Sequence, residues 1–247
     1  MQPYDVDPRI FDISLDELDM ILRWIKEREG RKGIQNTFLV GGWAVYAYND
    51  TLKSIDIDLI TNSETRSSLK HFLTSEREYE PYTDESGTSV FKRTDYGEII
   101  IDFGTTSDPC NFLGRPEELS FDEIVGRYKE IPVRSVSARI PERTLLLLYK
   151  LKATHDRRYR IENGLYRDMD WGRGKLVKDY ADVLALIDPG HGGRDIDLYY
   201  LGEKLAGLSF LREHLAGIPE QATSIERYGK LGRNEVNMLI RNLLSQV

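Results

Sequence analysis

The chain has 247 residues, 40% hydrophobic and 30% charged, with a formal net charge of -7. That length and apolar content suffice for one large packed domain or two small ones, and the acidic balance excludes a surface coated in basic charge for nucleic acid, leaving room only for a local basic patch. The single cysteine, Cys110, excludes an internal disulfide framework and suits a reducing compartment. The opening MQPYDVDPRIFD lacks a basic-then-apolar leader, and no apolar run reaches the roughly 20 residues of a membrane span. The expected location is therefore cytoplasmic, with no membrane partner.

Ser14 and Glu17 have the spacing of a capping box, and Leu15, Leu18, Ile21, Leu22 and Ile25 follow at helical spacing up to Gly30. Residues 37–40 form a short buried-strand pattern that ends on Gly41-Gly42, and 43–48 read as a short helix. Residues 55–60 alternate strictly, so a strand there puts Asp56 and Asp58 on one face and Ile55, Ile57 and Leu59 on the other. A helix over 65–73 follows. Residues 88–93 and 98–103 then read as a hairpin turning at 95–97, with a further strand over 131–136. After Pro141 the pattern becomes helical, over 142–155 and 176–187. It stays helical across 195–245, broken by Gly207, Gly217-Ile218-Pro219 and Gly229. The expected fold class is α+β: a small mixed β-sheet with flanking helices over 1–138, followed by a mostly helical part over 139–247.

Asp56 and Asp58 raise the chemical question, because a strand that needed only a core would carry apolar residues there. Like charges that close repel unless a cation lies between them. Asp102, on the alternating run 98–103, supplies a third carboxylate if its strand pairs beside 55–60; Glu98 is the competing acid. Mg²⁺, or Mn²⁺ in its place, takes one or two carboxylates plus substrate phosphates, and such ions activate an attacking oxygen and stabilise a leaving one. Gly41 and Gly42, between a strand and a helix start, offer free backbone N–H groups with no side chain blocking a triphosphate. Ser54 lies close enough in sequence to touch a phosphate.

Together, Gly41-Gly42, Asp56-Ile57-Asp58 and Asp102 resemble the motif of the nucleotidyltransferase superfamily, the polymerase β-type fold. The wording GGWAV…DIDL is similar to that of lincosamide and aminoglycoside nucleotidyltransferases. The run from Lys150 to Arg157, followed by Lys178-Asp179 and Asp182, resembles the AbiEii and MenT-like toxin nucleotidyltransferases. The resemblance spans roughly 37–187. It implies that Asp56, Asp58 and Asp102 hold metal and that Gly41 and Gly42 pack against an NTP. It also implies that Lys150, with Lys178 and Asp179, belongs to the nucleotide site. The implied acceptor is a tRNA 3′ end or other RNA, a protein, or a small molecule such as an antibiotic, with an antitoxin as an implied partner. Two positions depart from the pattern: Leu52-Lys53-Ser54 stands where the family often has arginine, and Lys178 stands where it has the arginine of an Arg-Asp pair. Lysine lacks the planar bidentate fork.

The segment 150–178 is basic, with Tyr159, Tyr166 and Trp171 interleaved, which predicts either a loop that grips an RNA end or a solvated surface. Lys150 and Lys152 point about 200° apart on a helix. Asp179 and Asp182, an i,i+3 pair, suit orienting Lys150 or Arg157. His191 to Leu198 repeats the Gly-Gly and Asp-Ile-Asp wording but reads as a loop, with Asp195 as a helix N-cap. Two functions follow: an NTP-dependent nucleotidyltransferase with Asp102 helping to deprotonate the acceptor, or a module of that fold that binds nucleotide or a partner without catalysis.

Overall fold

Ser14 is the first residue whose role the fold redefines. In the computed structural model, which describes residues 7–82 and 89–247, helix α1 (Arg9–Lys32) begins upstream of the expected capping box. Ser14 therefore lies within the helix, where its buried hydroxyl donates to the Ile55 carbonyl (2.6 Å) and accepts the Trp43 indole N–H (3.1 Å). The helix runs past Gly30 and ends at Gly33, whose φ of 64° supplies a left-handed C-cap. Leu18, Ile21, Leu22 and Ile25 are buried, as their spacing predicts.

Internal contacts divide the chain into two units. The first takes the described part of Val6–Pro109 together with Ser120–Glu142. After α1 it contains β1 (Phe38–Val40), α2 (Gly41–Tyr48), β2 (Ile57–Thr61), α3 (Ser63–Glu76), β3 (Glu80–Pro81), β4 (Val90–Thr94) and β5 (Gly97–Thr105). The five strands form one sheet in the order β1-β2-β5-β4-β3. Only β2 and β5 are parallel; the other pairs are antiparallel, so the sheet is mixed. The parallel pair needs a long crossover, and α3 with the β3–β4 segment supplies it. Of the expected hairpin, Thr88 lies outside the described residues and Ser89 precedes the strand; residues 90–93 pair with 98–101 as predicted, with Thr94 facing Gly97.

The strand expected over 131–136 is instead a turn between two strands, β6 (Tyr128–Val133) and β7 (Val136–Pro141). No glycine, asparagine or aspartate marks the turn, and Arg134 takes a positive φ of 57°. A tertiary anchor holds it: Asp19 Oδ1 accepts both the backbone N–H (3.2 Å) and the hydroxyl (2.5 Å) of Ser135. Because β7 continues to Pro141, the expected boundary at 138/139 falls inside a strand.

The second unit combines Cys110–Leu119 with Arg143–Val247. Its helices are α4 (Arg143–Glu162), α5 (Met169–Ile187), α6 (Leu198–Gly207), α7 (Ser209–Ala216), α8 (Ala222–Tyr228) and α9 (Arg233–Gln246). Leu145, Leu146, Leu147 and Leu148 are all buried, so α4 is covered on every side over that stretch. Asp197, rather than the expected Asp195, caps α6: its carboxylate accepts the Tyr200 N–H (2.9 Å) while its own N–H donates to Thr144 (2.8 Å). Among the described residues no helix is long and apolar enough to cross a membrane.

Two histidines tie α4 to α7 and to the Cys110–Leu119 segment. His155 Nε2 lies 3.0 Å from the Leu113 carbonyl and must donate to it, so in the neutral ring Nδ1 accepts from His214 Nε2, 3.1 Å away. That leaves His214 Nδ1 buried without a partner among the described residues. Burial first, then electrostatic coupling to His155 and the positive charges of Arg158 and Arg115 against the pull of Glu162, push His214 down to about 4. An unfolded histidine titrates near 6.5. As pH falls from that value toward 4 the unfolded chain takes a proton the folded chain refuses, so stability drops. The expected loss at this site is about 1–2 kcal/mol once its partial solvent screening is allowed for. Urea unfolding at pH 7 and 4.5 measures it: His214→Gln loses less than wild type across that interval, and an equal loss in both would remove His214 as the cause.

Candidate active site

The sheet of the first unit has one closed and one half-open face. Along β5, Ile99, Ile101, Phe103 and Thr105 are buried, while Ile100, Asp102 and Gly104 are only partly covered. Along β2, Ile57 and Leu59 are buried and Asp58 is partly covered. The parallel register sets Asp58 directly opposite Asp102. Cross-strand partners point to the same face, on strands roughly 4.8 Å apart, so the two carboxylates stand side by side on the half-open face. Glu98 lies elsewhere, opposite and ion-paired with Arg93 (3.1 Å).

On the other side of β2, Val40 pairs with Asp58, and the chain turns immediately into α2 at Gly41. Gly41 has φ 68°, and a Cβ there would overlap the Asp58 carboxyl group. Glycine is needed twice, for the left-handed backbone and for the close approach. The N-cap residue Val40 has no polar side chain to cap α2 and no acid lies in the first turn of the helix, so its N–H groups form an electropositive end beside Asp58. Gly42 is buried in that turn.

Asp56 departs from the expected strand. Pairing begins at Ile57, because the Ile55 carbonyl is taken by Ser14 of α1 instead of a sheet neighbour. Asp56 sits partly covered in the bend before β2, and the buried Ser54 hydroxyl donates to the Asp56 carbonyl (3.4 Å). Lys53 pairs with Asp12 (2.8 Å), and Leu52 is buried. The structure thus brings Asp58 and Asp102 together and sets Asp56 one step off the ladder. Among the described residues, no three His, Cys, Asp or Glu side chains group closely enough to hold a metal ion by themselves. Sequence reasoning missed Ser89, whose hydroxyl donates to Asp102 Oδ1. The signal was present: a hairpin turning at 95–97 puts residue 89 opposite residue 102.

Lys150, Lys178 and Asp179 occur in the helical unit, in a buried ion network. Lys150 Nζ lies 2.7 Å from Asp182 Oδ2 and 3.9 Å from Asp179 Oδ1; Lys178 Nζ lies 2.9 Å from the same Asp182 oxygen, and Arg157 pairs with Asp179. All but Arg157 are buried. Burial pushes the Lys178 ammonium down, against the pull of Asp182. Burial also opposes the Asp182 charge, yet Lys150 and Lys178 together hold its carboxyl below the usual range. Lys152, on the diverging direction, pairs with Asp156 (2.5 Å). The basic segment 150–178 is mostly helix, with only 163–168 between α4 and α5. Many of its charges are spent internally, Arg158 on Glu162 and Arg173 on Asp170 among them. Trp171 remains 43% exposed, edge-on to Tyr166.

No family model and no curated protein matches the chain in sequence. Among solved structures, an antigenic nucleotidyltransferase-like protein from Paracoccidioides brasiliensis is similar at 15% identity and a TM-score of 0.44, over 82% of this chain and 92% of that one. The lincosamide antibiotic adenylyltransferase LnuA, with lincomycin bound, is similar at 16% identity and a TM-score of 0.38, over 68% of this chain and 94% of that one.

Proposed function

We propose that this protein is a nucleotidyltransferase that moves an NMP group from an NTP to an acceptor hydroxyl. The observation that carries the reading is the pairing of Asp58 with Asp102 on the half-open sheet face, with Asp58 packed against Gly41 at the start of α2. Two partly exposed carboxylates form an all-oxygen donor set that fits a hard divalent cation whose remaining ligands come from substrate phosphates and water. Asp58 and Asp102 would hold Mg²⁺ or Mn²⁺, with Asp56 as the adjacent acid. The ion, when bound, supplies charge neutralisation and Lewis acidity at the phosphoryl oxygens.

The chain's own groups then have separate tasks. The N–H groups at Gly41 and Gly42 bind phosphate oxygens, and the missing side chain at Gly41 lets the triphosphate approach. Asp102 would accept the acceptor's proton. The acceptor oxygen bonds to the α-phosphorus, the bond from that phosphorus to the bridging oxygen breaks, and pyrophosphate leaves with the electron pair. Lys150, Lys178 and Asp179 serve first as a buried ion network in this reading.

Label transfer tests it. The protein is incubated with Mg²⁺, each α-³²P-labelled NTP in turn, and total RNA plus cell lysate as acceptors, beside Asp56→Ala/Asp58→Ala. Label enters RNA, protein or a small molecule with the wild type and is lost with the variant. NTP binding without any transfer would instead identify a nucleotide-binding module, and no NTP binding would overturn the site itself.

A further inference from the structure

We propose that Ser89 is a positioning residue that holds the Asp102 carboxylate toward Asp58, which rests on the reading of that pair as a metal site. Ser89 is 1% exposed and immediately precedes β4. The pairing of Val90 with Ile101 puts Ser89 beside Asp102, and its hydroxyl donates to Asp102 Oδ1. The half-open face therefore carries Asp58, Asp102 and Ser89 in a row across β2, β5 and the start of β4. The Ser89 carbonyl accepts the Tyr82 N–H at 3.0 Å, and Val90 next to it is fully buried, so the serine is anchored where it enters β4.

A buried hydroxyl costs stability unless it is hydrogen-bonded, and here the bond goes to a charged acceptor, the stronger kind. Asp58 and Asp102 repel each other when both are ionised. That repulsion favours Asp102 turning away from Asp58. Ser89 opposes that rotation by holding Oδ1 on the β4 side. The carboxyl plane is thereby oriented before a cation arrives, the role that outer partners of metal ligands commonly play.

Mn²⁺ binding to the full chain, followed by electron paramagnetic resonance of the free ion, tests this without relying on activity. Asp58→Asn first establishes that the measured site is the carboxylate pair. Ser89→Ala is expected to weaken Mn²⁺ binding about 10- to 100-fold, and Ser89→Thr, which keeps the hydroxyl, to stay within about threefold of wild type. Wild-type affinity in Ser89→Ala would overturn the proposal. So would equal weakening in Ser89→Thr, because shape and not the hydroxyl would then be what matters. A wild-type protein with no Mn²⁺ site sensitive to Asp58→Asn would overturn the metal reading and this inference with it.

Discussion

If the chain is the proposed nucleotidyltransferase, Asp58→Asn is expected to lower label transfer by at least about a thousandfold, equivalent to about 4 kcal/mol of transition-state stabilisation, while the protein stays folded. The substitution is nearly isosteric, so the carboxyl-sized group packed against Gly41 is retained. The backbone of residue 58 pairs with Val40 on one side and Asp102 on the other, and the change leaves both pairings in place. What disappears is one negative charge beside Asp102. Removing it relieves repulsion in the absence of metal, so the melting temperature is expected to hold or rise slightly. Initial rates of label transfer and a thermal melt, run on the same preparation, separate the two effects. Residual transfer within about tenfold of wild type would exclude Asp58 as a ligand of the reacting metal.

The features that carry this expectation were legible because they are periodic. Alternation over 55–60 and 98–103 points to the two strands and sets Asp58 and Asp102 on the face opposite the buried isoleucines of each, and the glycine pair marks the turn into α2. That the two strands are neighbours depends on the sheet order, and the parallel β2–β5 register makes them so. What sequence did not reveal is governed by long-range hydrogen bonds. Asp56 falls off the ladder because a serine 41 positions from Ile55 takes that carbonyl. The β6–β7 turn depends on Asp19, 116 positions from Ser135, and has no local turn residue to announce it. Cys110–Leu119 joins the helical unit through bonds to His155 and Asp156, which no local pattern encodes. The basic segment shows a different limit: counting charges along the chain says nothing about which of them are consumed in pairs, as Arg158 is by Glu162 and Arg173 by Asp170.

Asp182→Ala destabilises the protein by about 3–5 kcal/mol, a large share of the 5–15 kcal/mol typical of a folded domain. Asp182 is fully buried and holds Lys150 and Lys178 on one carboxylate oxygen. Its removal leaves two buried ammonium groups, with Asp179 3.9 Å from Lys150 as the nearer remaining counter-charge. Urea unfolding measures the loss, and a change below about 1 kcal/mol would mean that water reaches the network readily. The cost lies in the uncompensated charge, so replacing the whole group with Lys150→Met, Lys178→Met and Asp182→Leu is expected to recover most of the stability, as apolar substitutes for buried ion clusters often do. That recovered variant also decides a functional point. If it binds NTP as tightly as wild type, the cluster serves packing alone. If it folds but loses NTP, the cluster is needed for nucleotide binding as well as for packing.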